Sequence, residues 1–134
     1  YGIDVDQLVE VSHCGINKIN VDTDIRLAVT RNMKELFAAR TKLRTSPSVG
    51  GIYELLEKKK DQFDPRVFLP PIMDTVMYGV VEDEDRAAIV DCIERGVKEV
   101  VGTLIVEFGS FGKAPLVEQV SLEEMAERYR KAGI

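Results

Sequence analysis

The stretch Ile16-Asn17-Lys18-Ile19-Asn20-Val21-Asp22-Thr23-Asp24, continued by Ile25-Arg26-Leu27-Ala28, reads as a short buried strand that runs straight into a helix. Ile16 to Val21 alternates in bulk and is rich in β-branched residues, a strand pattern. Thr23 or Asp24 is a natural N-cap for the helix that follows. In α/β folds, polar side chains at the C-terminal end of a parallel strand are where the chemistry is placed. Along such a strand Lys18, Asn20 and Asp22 share one face, and Asn17, Ile19 and Val21 the other. Asn20 offers a donor and an acceptor, Asp22 an acceptor only, a combination that suits polyol hydroxyls. A phosphate would instead meet the backbone N–H groups of Asp22 and Thr23 at the helix start. Lys18 would pair with a carboxylate inside a barrel or reach a substrate. The plainer reading makes Thr23 and Asp24 the cap and leaves Asp22 to solvate the turn.

Arg26 stands in the first helical turn, where a cation opposes the helix dipole. It therefore calls for a partner, either Asp22 or Asp24 in a salt bridge or a bound anion. Arg66, just inside a second helix start at Asp64-Pro65, raises the same question.

Upstream of the corner, Val5, Leu8 and Val9 make an apolar stripe for a short helix, with Gly15 as its C′ residue. Downstream, Ile25, Val29, Met33, Leu36 and Phe37 share one helical face up to about Arg40. Thr41 to Gly51 carries Ser46-Pro47-Ser48 and Gly50-Gly51 and is expected as a solvated, mobile loop. Ile52 to Lys60 is a short helix ending in Lys58-Lys59-Lys60, cations that complement its dipole. In Phe63-Asp64-Pro65-Arg66, Asp64 is placed to cap and Pro65 to open a helix, which Pro70-Pro71 then interrupts. Asp83 to Phe108 is the longest periodic segment, and its Gly96 and Gly102 are candidates for close packing. Gly109 and Gly112 mark a turn, and Ser121-Leu122-Glu123-Glu124 is a capping box for a last helix to about Lys131.

The 134 residues suffice for one domain with a core, and 45% hydrophobic with 31% charged residues suits a globular protein. A net charge of -5 argues against a nucleic-acid surface, which needs a basic face. Glu82-Asp83-Glu84-Asp85 and Glu123-Glu124 read as solvated helix starts. No apolar run approaches the ~20 residues of a membrane helix. Tyr1 stands where a start methionine would, so the beginning is expected to be trimmed or internal. Cys14 and Cys92 form no CxxC pair and read as reduced cytosolic thiols. His13 is the only histidine and cannot make a histidine-based zinc site; it is expected at a helix end on the surface.

One good strand among five or six helices is an imbalance. Leu116 to Val120 offers a second short strand, but two do not make a sheet core. Unpaired buried backbone groups cost about 1–3 kcal/mol each. Either Ile16–Val21 is no strand, or the chain is the tail end of a larger α/β protein.

Three segments point to the second option. Lys18-Ile19-Asn20-Val21-Asp22-Thr23-Asp24 with Arg26-Leu27-Ala28, preceded by Tyr1-Gly2 and Gly15, resembles the end of a class II fructose-bisphosphate aldolase. Phe63-Asp64-Pro65-Arg66-Val67-Phe68-Leu69 is similar to that family's DPR segment. Phe108-Gly109-Ser110-Phe111-Gly112-Lys113-Ala114 is similar to its Gly-rich C-terminal piece. The resemblance runs from Tyr1 to about Ala114, departs from the family pattern between Tyr78 and Val101, and leaves the tail unmatched.

It implies the C-terminal part of a zinc-dependent (β/α)8 TIM barrel, with Ile16–Val21 as the last strand and Asp24–Arg40 as the last helix. Residues 1–40 would be the last βα unit with a preceding helix, 41–62 the mobile loop and short helix, and 63–134 C-terminal helices for oligomer contacts. The implied activity is reversible cleavage of fructose 1,6-bisphosphate to dihydroxyacetone phosphate and glyceraldehyde 3-phosphate. Zinc ligands and the proton-shuttling aspartate come from earlier strands, so this chain would hold no metal and no catalytic acid or base. By resemblance Asn20 and Asp22 bind substrate hydroxyls, and Asp22 and Thr23 offer N–H groups to a phosphate. Arg26 and Arg66 both match positions from which relatives supply an arginine to a neighbouring subunit's phosphate, and Arg26 is preferred. Implied partners are the missing N-terminal portion and a second copy, in a cytoplasmic homodimer or homotetramer without nucleic acid or membrane. Two competing readings remain: a tagatose-bisphosphate-type aldolase, disfavoured by Asp22 and Asp24, and a non-enzymatic helical interaction module.

Overall fold

A computed structural model describes residues 3–16, 18–117 and 119–133. Two long helices carry it, α2 (Thr23–Ala39) and α5 (Glu84–Glu107), with α1 (Val5–His13), α3 (Gly50–Lys58), α4 (Met73–Tyr78) and α6 (Leu122–Ala132) around or beyond them. Ala28, Val29, Met33, Leu36 and Phe37 of α2 are buried, the 3–4 spacing of one helical face. On α5 the buried residues are Ala88, Ile89, Cys92 and Gly96, again one face. A Cβ at Gly96 would lie 2.8 Å from both Cα and N of Val29, so the helices meet backbone to backbone there. At Gly102 a Cβ would meet nothing within 4 Å, so of the two expected close-packing glycines only Gly96 is one.

The core continues from this seam into Leu43, Val49, Ile52, Phe68 and Ile72. Phe37, 1% exposed, is among its largest side chains, and burying such a ring contributes about 1.5–3 kcal/mol. Burial pushes the Cys92 thiol up to about 11, whereas Cys14 is exposed. Two polar groups tie the seam: the buried Asn32 amide donates to Glu99 at 3.1 Å, and Arg31 pairs with the same carboxylate.

Segment 41–51, expected as a solvated loop, takes part in the core. A 3-10 turn spans Thr41–Thr45, and Leu43, Ser46 and Val49 are buried. The apolar residues between its polar ones decide this, because each removes surface from water. Asp64 caps as expected, accepting from Arg66 N at 3.0 Å, but only a 3-10 turn follows, Pro65–Val67. Pro70 and Pro71 carry no N–H, so an α-helical ladder cannot run through them. A second 3-10 turn, Pro70–Ile72, precedes α4, which ends on Gly79 at φ 69°. The α6 cap is as read, Ser121 accepting from Glu124 N at 3.1 Å; the acidic run at the start of α5 also supplies a cap, Asp83 accepting from Arg86 N at 2.7 Å. No residue of α6 is buried.

The strand expected over Ile16–Val21 does not form. Among the described residues there is no strand at all, and Asn17 lies outside them. A strand is held by a neighbour's N–H and C=O groups, and the described residues offer none. The second expected strand, Leu116–Val120, is also absent: Ala114–Leu116 is a 3-10 turn and Glu118 lies outside the described residues. The barrel expected from the resemblance is therefore not seen among the described residues, whose regular structure is helical.

Candidate functional site

The segment leading into α2 lies along α1 and forms one wall of an open groove of about 400 Å³. Ile3, Leu8, Val11 and Ile16 make its apolar side, and Lys18, Asn20, Asp22, Thr23 and Asp24 its polar side. Lys18 and Asn20 are exposed. Ile19 and Val21 line the groove as well, so the strict two-face alternation of a strand is missing. Sequence reasoning brought Lys18, Asn20, Asp22 and Thr23 together, and the structure keeps them on this one groove.

Helix α2 begins one residue earlier than expected. Asp22 is its N-cap residue, and the side chain makes no capping bond. Its carboxylate turns instead to Arg26, one turn on: Arg26 Nε donates to Asp22 Oδ1 at 2.7 Å, and Nη2 to Oδ2. The other edge of the same guanidinium reaches 38 residues along the chain, where Nη1 donates to Asp64 Oδ2 at 3.0 Å. Asp64 also takes Arg66, whose Nε donates to Oδ1 at 3.0 Å and to Oδ2 at 3.1 Å, and whose Nη2 donates to Oδ2 at 2.5 Å. Asp22, Arg26, Asp64 and Arg66 thus form one chain of alternating charges. Thr30 holds the far segment in place by donating from Oγ1 to the Phe63 carbonyl at 2.6 Å.

The carboxyl of Asp64 is held down at about 2, first by its hydrogen bonds from the Arg66 side chain, then by the Arg66 N–H and the charges of Arg66 and Arg26, against the opposing effect of burial. The same contact raises the pKa of Arg66. Both arginines singled out from the sequence are therefore in the cluster, and of the two carboxylates read as partners for Arg26, Asp22 or Asp24, Asp22 pairs with it, together with Asp64. Asp64 was read only as a cap. Its second role was hidden because a cap residue already has a reason to be acidic, and nothing local says that residue 26 comes near residue 64.

Among the described residues no three His, Cys, Asp or Glu side chains converge as a metal site would require. The donor set present does not fit a zinc ion. Farther along α2, a second cleft of about 310 Å³ has Lys34, Arg44, Tyr53 and Lys60 in its wall and contains none of the predicted site residues. No helix among the described residues is long and apolar enough to cross a membrane.

A family model described as fructose-bisphosphate aldolase class-II matches residues 1–113. A fructose-bisphosphate aldolase of Nostoc commune is 31% identical over the whole chain, which covers 26% of that relative. One from Xanthobacter flavus is 31% identical over 129 residues, 96% of this chain and 25% of the relative. A protein named fructose-bisphosphate aldolase 2 from Rhodobacter capsulatus is 23% identical over the whole chain, which covers 82% of it. The chain thus spans about a quarter of the length of the first of these relatives. No solved structure matches the chain.

Proposed function

The chain belongs to the class II fructose-bisphosphate aldolase family, and from that premise we propose that it is the C-terminal portion of such an enzyme. It would supply substrate-binding side chains for the reversible cleavage of fructose 1,6-bisphosphate to dihydroxyacetone phosphate and glyceraldehyde 3-phosphate. The observation that carries the reading is the Arg26–Asp64 bond, which joins the N-x-D-T-D segment to the D-P-R segment in space. That contact sets two family motifs 38 residues apart at one corner, where a single ligand would meet both.

In this reading Asn20 and Asp22 take the sugar hydroxyls, an amide and a carboxylate offering complementary donors and acceptors. The N–H groups of Asp22 and Thr23 open α2 and face a phosphate, as helix starts do. Lys18 lies on the same groove and adds a positive charge. Arg26 and Arg66 serve a phosphate through charge-assisted hydrogen bonds. In this reading zinc would be held by the rest of the enzyme and would supply Lewis-acid chemistry there. This chain's own part is to bind and orient. Joined to the rest of a TIM barrel, residues 16–21 would find the neighbouring strands they lack here. The assembled protein would be cytoplasmic, a homodimer or homotetramer, with residues 63–134 in contacts between copies.

The test is a coupled cleavage assay on the full-length polypeptide with fructose and tagatose 1,6-bisphosphates. Faster turnover of the fructose sugar is expected. Preference for the tagatose epimer would move the assignment to the sister activity. No cleavage of either sugar would leave a helical interaction module.

A further inference from the structure

We infer that Asp64 is a positioning residue, whose carboxylate bridges Arg26 and Arg66 and fixes the direction of both guanidinium groups. The inference rests on the reading of those arginines as phosphate ligands given above. The side chain of Asp64 is 19% exposed, against 29% for Arg26 and 71% for Arg66, so the acid sits innermost with the two cations outside it. It accepts from Arg26 Nη1, from Arg66 Nε and Nη2, and from the Arg66 backbone N–H.

The anchor is stiff for reasons outside the cluster. Pro65 fixes the backbone dihedral next to it, and Thr30 Oγ1 holds the Phe63 carbonyl at 2.6 Å. Arg26, by contrast, has one other side-chain partner among the described residues, Asp22, four residues before it and mostly exposed. That pair is bidentate, but its carboxylate is itself on an exposed side chain for which water competes, so it ties the guanidinium to a partner that is not itself anchored. Adding Asp64 engages the opposite edge of the fork and removes that freedom. Arg66 is folded back onto Asp64 from two residues away, and its Nη1 has no hydrogen bond among the described residues. The bridge therefore leaves one mostly exposed arginine edge facing solvent, set at a fixed place beside Arg26. An anion that binds there finds both cations already ordered, and binding forgoes the entropy loss of ordering them.

The experiment compares Asp64→Asn, Asp64→Glu, Arg26→Ala and Arg66→Ala in the full-length protein, reading kcat and KM for fructose 1,6-bisphosphate and inhibition by inorganic phosphate. Asp64→Asn is expected to raise KM and the phosphate inhibition constant by roughly tenfold with kcat nearly unchanged, the loss of ordering for one or two long side chains. Asp64→Glu keeps the charge and is expected to recover part of that loss. With both arginines replaced by alanine, Asp64→Asn should change KM no further. If Asp64→Asn does not fold, Asp64→Ser, which keeps a capping oxygen, is read in its place. An unchanged KM in Asp64→Asn, with either arginine variant raising it, overturns the positioning role alone. So does a loss of kcat that Asp64→Glu fails to restore. If neither arginine variant raises KM, the phosphate reading itself falls and takes this inference with it.

Discussion

Arg26 and Val29 stand less than one turn apart on α2, and they are held in opposite ways. Val29 is shut against Gly96 of α5, where a single added carbon would meet backbone at 2.8 Å. Arg26 is held by two carboxylates at the surface, through bonds that solvent or an anion can replace. The first contact is set by volume, has one arrangement and decides where α2 lies. The second is set by charge and hydrogen bonding, fixes only the direction of the guanidinium and leaves part of it open to solvent. The first kind of contact sets where a helix lies, whereas the second sets where a charged group on its surface points without moving the scaffold.

That contrast can be broken from the packed side first. Phe37→Ala should cost about 3–5 kcal/mol, the usual loss for a buried ring, seen as a lower urea midpoint of unfolding. Gly96→Ala should destabilise by about 1–3 kcal/mol despite alanine's better helix propensity, since Val29 backbone has to move. Gly102→Ala, on the same helix with open space around it, should instead gain up to about 1 kcal/mol. If both glycine variants shift stability in the same direction, the seam is not the tight contact described.

The corner should respond weakly in the same measurements. Asp22→Ala removes an exposed i, i+4 pair and should change stability by less than about 1 kcal/mol. The acid response is the smallest effect. The folded Asp64 carboxyl, at about 2, lies below its ordinary 3.8, so its contribution is fully present above about pH 4 and is lost as pH falls toward 2. Asp64→Asn should therefore flatten the fall in melting temperature over that window. A slope identical to the parent protein's would mean that the cluster does not hold in solution.

Much of the helical layout could be read from local pattern. The caps at Asp64 and Ser121 are local signals, and the stripe Val29-Met33-Leu36-Phe37 follows from periodicity; on α5 periodicity marks a helix but not its buried face, Ala88-Ile89-Cys92. The strand reading of Ile16–Val21 failed for a reason that local pattern cannot supply. β-branched alternation says what a segment suits, and pairing depends on whether a neighbour exists. The loop at 41–51 was misread because its Ser, Pro and Gly residues outvoted Leu43 and Val49, which are buried. Of the candidate site residues, Lys18, Asn20, Asp22 and Thr23 lie on one groove and Arg26 and Arg66 in one charge cluster, while the bridge at Asp64 was not legible from local pattern.

The order of residues is enough to set the caps at Asp64 and Ser121, the buried face of α2 and the family, since each depends on neighbours a few positions away or on a motif read in line. Whether Gly96 or Gly102 is the close contact, and whether Arg26 ends on Asp22 alone or on Asp64 as well, depends on how α5 and segment 63–66 come to lie across α2. Those distances are set by the filling of the shared core around Phe37, Ile52 and Phe68, a sum over many residues far apart in the chain that no short stretch contains.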